Sequence, residues 1–294
     1  MTKDIQKLKK QLLKEELRRQ RKSSKKRHWV VLGLILVVVL SAGSFWLRAS
    51  SETRLEESFQ AGLALREAGK YAAAAELFSR LHAKHPAFEK APQALFQAAE
   101  IQDLYLGRYA DALLTYLLLE RDYPSAAEVE PARRQVAVLY KYRLNDCSQA
   151  IAVYQKVLDQ PDSDSPQLQY EVADCYFRLN NFEQARIEFE GLLKNYPTSE
   201  LCAEVQYRIA MTYALEGKLA DAAAAYRQMI QDWPESPYAL EANFGLATVL
   251  EEREELLEAL KILEELAGIY PKQDILERKT AQVRERIAKK KKAI

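Results

Sequence analysis

Cysteine, histidine and methionine are all scarce in this sequence, with three of each among 294 residues. Three cysteines cannot build a disulfide framework. The sequence also has no glycine-rich phosphate loop, no nucleophile elbow and no Cys-x-x-Cys pair, which are signatures of nucleotide, acyl-transfer and thiol chemistry. His82 and His85 lie three residues apart, but no acidic or thiol ligand accompanies them at metal-site spacing. We therefore predict a non-enzymatic protein with no catalytic residues, no cofactor and no metal site.

Glycine and proline are also rare, at 9 and 10 residues, whereas alanine, leucine, glutamate and lysine are abundant. These abundant residues lose little side-chain entropy in a helix. Apolar residues make up 48% of the chain and charged residues 29%, a balance typical of a folded protein rather than a disordered one. The composition predicts an all-α protein.

Charge is distributed unevenly, although the net charge is only +1. Residues 1–28 carry a net charge of +9 and residues 276–294 one of +6, so the body between them carries −14. The lysine run at residues 289–292 has no interleaved aromatic residues. We therefore predict no nucleic-acid partner, and interpret the basic tail as a solubility feature or a contact for anionic lipid or an acidic protein.

One uncharged run stands out, residues 29–47, which reads WVVLGLILVVVLSAGSFWL. As a helix it measures about 28 Å, the thickness of a hydrocarbon core. Tryptophans lie at both ends, and a basic stretch precedes it while mixed charges follow. The positive-inside rule then predicts one membrane crossing with residues 1–28 in the cytoplasm. The alternative is a cleaved signal peptide, for which small residues at 41–43 offer a site, but the run exceeds the usual apolar length of such peptides.

Beyond about residue 56 the chain repeats a pattern with a period near 37 residues. Five of the six repeats have a glycine or asparagine as a turn residue. Every repeat then has an alanine, followed eleven or twelve positions later by a proline, and in five repeats an aromatic residue lies four positions after the alanine. A small alanine allows two helices to approach closely, and the aromatic one turn later lies on the same face. The six marker alanines are Ala74, Ala112, Ala150, Ala185, Ala222 and Ala259.

The other markers also predict local structure. Gly69, Gly107, Gly217, Asn145 and Asn180 are suited to the left-handed backbone that ends a first helix, and the marker proline ends the second helix. Twelve residues before the marker alanine, four repeats have a small residue on the first helix: Gly62, Ala173, Ala210 and Ala247. Glu100 and Val138 stand at this position in repeats two and three, which we interpret as degenerate copies.

This pattern resembles the tetratricopeptide repeat over residues 56–271. The recurrent aromatic-proline ends, such as Tyr196-Pro197 and Trp233-Pro234, are similar to the subtype of bacterial envelope proteins that includes BamD and CpoB. An anchor followed by such repeats also resembles the ancillary subunit of the bacterial protein-export translocon. The resemblance implies a bacterial inner-membrane protein with its repeats in the periplasm.

The predicted fold class is all-α: an N-terminal cytoplasmic helix and a single transmembrane helix, then an α-solenoid of about six helix pairs and a C-terminal capping helix. The predicted segments are a basic arm at 1–28, a transmembrane helix at 29–47, a linker at 48–55, the solenoid at 56–271, and the capping helix and tail at 272–294.

Matching the repeats to the tetratricopeptide pattern implies a peptide groove on the first helices. Aromatic residues provide contact area there and charges provide register. Simple packing between first helices is an equal alternative for the three aromatic residues of this set. The predicted groove residues in repeats four to six are Tyr170, Glu171, Asp174, Tyr207, Arg208, Met211, Phe244 and Thr248.

We therefore predict a membrane-tethered protein-interaction scaffold in cell-envelope assembly or division. The alternatives are a chaperone-like or translocon-accessory factor for exported clients and an accessory domain of a cell-wall enzyme complex. Self-association is a further possibility for the arm or the groove. The three cysteines are predicted to be buried free thiols, and Cys147 with Cys175 is the best candidate pair should one bridge.

Overall fold

The computed structural model describes residues 14–16, 51–159 and 165–292. Residues 14–16 are helical, and helix α1 covers residues 51–67. The following helices are α2 (Tyr71–Lys84), α3 (Ala91–Leu104), α4 (Tyr109–Asp122), α5 (Val129–Val138), α6 (Cys147–Leu158), α7 (Pro166–Arg178), α8 (Phe182–Asn195), α9 (Cys202–Leu215), α10 (Leu219–Asp232), α11 (Ala239–Glu252), α12 (Leu256–Glu265) and α13 (Gln273–Lys292). A π-helix at Leu139–Arg143 continues α5 without a break.

The chain divides into two compact units, an N-terminal unit of residues 1–101 and a C-terminal unit of residues 102–294. In the N-terminal unit α1 packs on α2 through Phe59 and Phe78, whose ring centroids are 5.4 Å apart. In the C-terminal unit each helix from α4 to α13 packs against the next one along the chain. The described helices thus confirm the predicted all-α arrangement of successive helix pairs.

The marker residues of the repeat form the core. All six marker alanines have no exposed surface, and the aromatic residues Phe78, Tyr116, Tyr154, Phe189 and Tyr226 are buried as well. An alanine leaves room for the facing helix, and the ring one turn later fills the space beside it. The spacing of small and large residues therefore predicted the packed face of each second helix correctly.

The turns within the helix pairs have the left-handed backbone that the sequence predicted. Gly69, Gly107, Gly217, Asn145 and Asn180 all have positive φ angles between 55° and 73°. Repeat six reaches the same left-handed conformation with Glu254, at φ 65°, although no glycine or asparagine marks that turn in the sequence. The left-handed region is thus required by the helix–turn–helix geometry and imposed even on a residue that disfavours it.

The second helices of repeats one, two, four and five end in one conformation. The residue directly after each helix end is His85, Tyr123, Tyr196 or Trp233, and each has φ near −130° and ψ near 60°. Each of these residues precedes a marker proline, whose ring disfavours helical backbone at the residue before it. The marker proline of repeat three, Pro161, lies outside the described residues.

The interpretation of repeats two and three as degenerate is wrong. Ala99 and Ala137 are fully buried and lie one position before Glu100 and Val138. Repeat two has a turn one residue longer than its neighbours, and repeat three contains the π-helix, which takes up one additional residue. Both repeats therefore keep the small residue of the first helix, displaced by one position along the sequence.

The part of the predicted fold class that included a transmembrane helix is corrected. Within residues 14–16, 51–159 and 165–292, no helix combines the length and the apolar character needed to cross a bilayer. Even α13, with 20 residues, ends in four consecutive lysines, and charged side chains in hydrocarbon are costly. Residues 29–47 lie outside the described residues. The prediction of a single-pass inner-membrane protein with periplasmic repeats, which depended on that segment, is withdrawn.

Candidate groove on the first helices

The eight predicted groove residues lie on three first helices of the C-terminal unit. Helix α7 carries Tyr170, Glu171 and Asp174, helix α9 carries Tyr207, Arg208 and Met211, and helix α11 carries Phe244 and Thr248. Direct contacts join the α7 residues to those of α9, and the α11 residues contact other partners. The set divides by exposure as well, because Tyr170 and Asp174 are buried whereas the α9 and α11 residues are half-buried.

Asp174 is the centre of a charge network that the sequence did not predict. Lys141 places its Nζ 2.6 Å from Asp174 and 2.5 Å from Glu171, and its side chain has no exposed surface. Arg178 reaches the same Asp174 carboxylate at 3.3 Å and Arg208 reaches it at 3.8 Å. Repeats three, four and five are therefore linked through one carboxylate.

The π-helix carries Lys141 into this network. The widened turn adds one residue and places the lysine at the buried side of the first helix rather than in solvent. Burial by itself would lower the pKa of Lys141, but its hydrogen bonds to Asp174 and Glu171 outweigh burial and raise the pKa to about 12. The lysine is therefore charged throughout the neutral range, and its charge is compensated by two carboxylates.

A second set of contacts joins α7, α9 and the start of α11. The hydroxyl of Tyr170 donates to Glu204, which also pairs with Arg208 at 3.6 Å. Burial and then a hydrogen bond to Glu204 raise the pKa of Tyr238, the residue before α11, to about 12. Glu204 thus serves the same linking role between repeats that Asp174 serves one repeat earlier.

The aromatic residues pack between helices, as in the alternative that the sequence left open. Tyr170 lies 5.8 Å from the ring of Phe189. Tyr207 stacks on Tyr238 at 5.7 Å. Phe244 stacks on Tyr270 at 5.0 Å with an interplanar angle of 9°. Each predicted groove aromatic therefore has a ring partner in a neighbouring helix or in a segment that flanks one, and none is a fully exposed anchor.

Met211 packs against the apolar core of the C-terminal unit, as Tyr207 and Phe244 do, and Thr248 differs from them. Met211 and Thr248 are both half-buried, and the Thr248 hydroxyl donates only within its own helix, to the carbonyl of Phe244 at 3.0 Å. Substitution at Thr248 therefore changes the surface of α11 without removing a contact between helices. The sequence reasoning missed Lys141, Glu204 and Tyr238. The available signal for Lys141 was its place directly after the apolar run of residues 136–140.

All three cysteines are free and buried, as predicted. Cys147 and Cys175 belong to one apolar cluster of α5, α6 and α7. Burial and then the neighbouring Cys147 thiol raise the pKa of Cys175. Cys175 is therefore unreactive in this environment, and Cys147 is shielded from solvent by burial. Among the described residues no group of three or more His, Cys, Asp or Glu side chains is placed to hold a metal ion.

Stacked helix pairs with a marker alanine and a facing small residue define the class of α-helical repeat proteins. Within that class, models of the tetratricopeptide repeat match residues 58–87 and, in three overlapping segments, residues 136–200, 192–237 and 207–274. The matched regions together cover more than half of the chain. The chain belongs to the tetratricopeptide repeat proteins. The BamD- or CpoB-like subtype remains a prediction.

Solved structures show the same fold at low sequence identity. A tetratricopeptide repeat protein from Parabacteroides merdae is 17% identical, with a TM-score of 0.53, and the match covers 81% of this chain and 89% of that one. A structure of Naa15/Naa10 bound to HypK-THB matches with 18% identity and a TM-score of 0.50, over 82% of this chain and 35% of that one. At this identity the likeness concerns the fold alone. No curated protein sequence matches the chain.

Proposed function

We propose that the chain is a non-enzymatic protein-interaction scaffold, and that it binds a protein segment along α9 and α11. The observation that carries this proposal is the half-exposed strip of Tyr207, Arg208, Met211, Phe244 and Thr248. The strip combines aromatic area, one arginine and flexible apolar side chains, the composition of protein-binding surfaces. The α7 residues are assigned instead to the structural network, because Tyr170 and Asp174 are buried and Glu171 pairs with the buried Lys141.

The fold family supports this class of function. Tetratricopeptide repeat proteins are generally non-enzymatic scaffolds, and a chain of similar fold occurs in the Naa15/Naa10 structure bound to HypK-THB. For this chain we infer an extended or helical segment as the ligand, since consecutive first helices present a linear surface. Cell-envelope assembly or division remains the predicted process, on the repeat subtype alone.

A peptide selection tests the strip directly. Peptides of random sequence are selected for binding to the full chain, and their affinities are then measured for a Met211→Arg and Thr248→Arg double variant. We expect at least tenfold weaker binding, because long charged side chains block the apolar part of the strip. Arg208 and Tyr207 are left unchanged, since both pack against neighbouring helices.

Ala224→Arg together with Gln228→Arg provides the matched control, because it adds the same two positive charges on the exposed surface of α10. Circular dichroism melts establish that all variants fold. Selected peptides that bind the double variant and the control with equal affinity would show that α9 and α11 are not the binding surface.

A further inference from the structure

Helix α4 has an apolar surface on the side opposite its packed face. Ala112, Tyr116 and Leu119 are buried. Leu114 and Leu117, however, are 66% and 40% exposed, and Leu118 beside them is half-buried. These three leucines follow helical spacing and form one stripe, the α4 leucine stripe. The helix is therefore apolar on two faces, and among the residues that the structure describes only the first face is fully packed.

The other second helices show what this position ordinarily carries. The stripe lies two, five and six residues after the marker alanine. At these positions each of the five remaining repeats has at least one charged residue. The equivalent residues are Glu76, Ser79 and Arg80 in repeat one, Ala152, Gln155 and Lys156 in repeat three, Ile187, Glu190 and Gly191 in repeat four, Ala224, Arg227 and Gln228 in repeat five, and Lys261, Glu264 and Glu265 in repeat six.

The comparison within the chain makes the stripe a specific feature of repeat two. An exposed leucine cluster costs free energy in water, and a soluble surface ordinarily avoids it unless a partner covers it. The fold of α4 does not require these leucines, because each of the five other second helices has at least one charged residue at these positions. The stripe is therefore suited to an intermolecular contact.

The charges at the two ends of the stripe indicate which partner fits. Asp111 lies three residues before Leu114, and Arg121 lies three residues after Leu118. Both are exposed, and Arg121 makes a local ion pair with Asp122. When two identical helices pair antiparallel about a two-fold axis, each residue before the centre faces one equally far beyond it. Asp111 of one copy then faces Arg121 of the other, and Leu114 faces Leu118.

We propose that the α4 leucine stripe is a self-association surface that pairs antiparallel with the α4 of a second copy of this chain. In this pairing the leucines and the end charges of the stripe are self-complementary, which is the requirement for a two-fold contact. One helix face is smaller than the roughly 800 Å² per partner of a stable interface. The dimer is therefore weak and concentration-dependent.

Sedimentation equilibrium of the full chain tests the proposal over about 1 to 200 μM, the range in which weak dimers dissociate. We expect the wild-type chain to shift from monomer to dimer, and a Leu114→Glu and Leu118→Glu variant to bind itself at least tenfold more weakly. Ile187→Glu on α8 is the matched control, because Ile187 is 51% exposed at the position equivalent to Leu114. We expect the Ile187→Glu variant to dimerise as the wild-type chain does.

Charge exchange tests the antiparallel geometry. Asp111→Arg and Arg121→Asp each place like charges opposite one another and weaken the dimer, whereas the double variant restores the pairs and recovers wild-type association. Circular dichroism melts confirm folding of every variant. A wild-type chain that stays monomeric overturns the proposal, whatever else covers the stripe. Association that is unaffected by the glutamate substitutions, or not recovered by the charge exchange, also overturns it.

Discussion

Lys141 is a charged residue without exposed surface, and its position explains how repeats three to five are fastened together. Its ammonium group lies between Glu171 and Asp174, and Asp174 also contacts Arg178 and Arg208. A buried charge of this kind is tolerated only when opposite charges and hydrogen bonds compensate it. The lysine therefore determines the register of neighbouring first helices rather than providing a free binding group.

Replacing Lys141 by methionine tests that role. Methionine fills a similar volume but removes the buried ammonium group from Glu171 and Asp174, and Asp174 then keeps only its longer contacts to Arg178 and Arg208. We expect the free energy of unfolding to fall by about 3 kcal/mol, measured by urea denaturation. Adding Glu171→Gln and Asp174→Asn removes the uncompensated charges and recovers most of the loss. A Lys141→Met chain within about 0.5 kcal/mol of wild type would contradict the assignment.

At the scale of the element, the helix pair depends on where space is left for the facing ring. A side-chain Cβ added at Gly245 of α11 would lie 2.6 Å from the ring of Tyr226, which is buried. A Cβ added at Gly191 of α8 would instead meet the end of the flexible Gln169 side chain at 2.7 Å. Two glycines inside helices therefore have different roles, and helix propensity by itself does not separate them.

Alanine substitution at these two glycines is expected to change the free energy of unfolding in opposite directions. Gly245→Ala is expected to destabilise the chain by about 1–3 kcal/mol, because a buried ring cannot move without disturbing the core. Gly191→Ala is expected to be neutral or to stabilise by up to about 1 kcal/mol, since alanine favours the helix and Gln169 can turn away. Thermal melts of both variants check this. Equal effects would mean that Tyr226 does not set the distance between α10 and α11.

At the scale of the whole molecule, the C-terminal unit ends in α13, whose charges complement those of α11. Glu251 is almost fully buried and pairs with Lys279 and with Arg286, the latter at 3.0 Å. Burial would raise the pKa of Glu251, but these partners outweigh burial and hold the pKa below its ordinary value of 4.5. The net positive charge of residues 276–294 thus contributes directly to attaching the last helix.

Because α13 is attached through the Glu251 carboxylate, part of the free energy of unfolding is lost on acidification. Because the folded-state pKa of Glu251 is lowered, its contribution is complete above about pH 4.5 and is lost as the pH falls through the folded value. We expect Glu251→Gln to cost about 2–3 kcal/mol at pH 7 and to show a shallower loss of stability on acidification than wild type.

Urea midpoints measured between pH 7 and pH 3 check this expectation. Glu252→Gln is the matched control, because Glu252 is exposed next to Glu251, and it follows the wild-type curve. Parallel pH curves for Glu251→Gln and wild type would exclude the proposed contribution of the buried carboxylate.

The sequence by itself determined the features that depend on local sterics. The period, the buried alanines and rings and the glycine and asparagine turns were predicted, as were the helix ends before four described marker prolines. Each follows from the size or backbone freedom of a residue and its near neighbours. The turn at Glu254 was missed because its residue type does not indicate positive φ.

Only the tertiary structure decided the features that depend on distant partners. Ala99 and Ala137 keep the repeat register through an added residue, which a fixed spacing could not reveal. Lys141 is buried because its two carboxylates lie 30 and 33 positions further along the chain. The α4 stripe became distinct only when exposure separated its leucines from the buried ones. In each case the free energy of a side chain is set by groups brought near it in space, and a one-dimensional pattern does not contain that proximity.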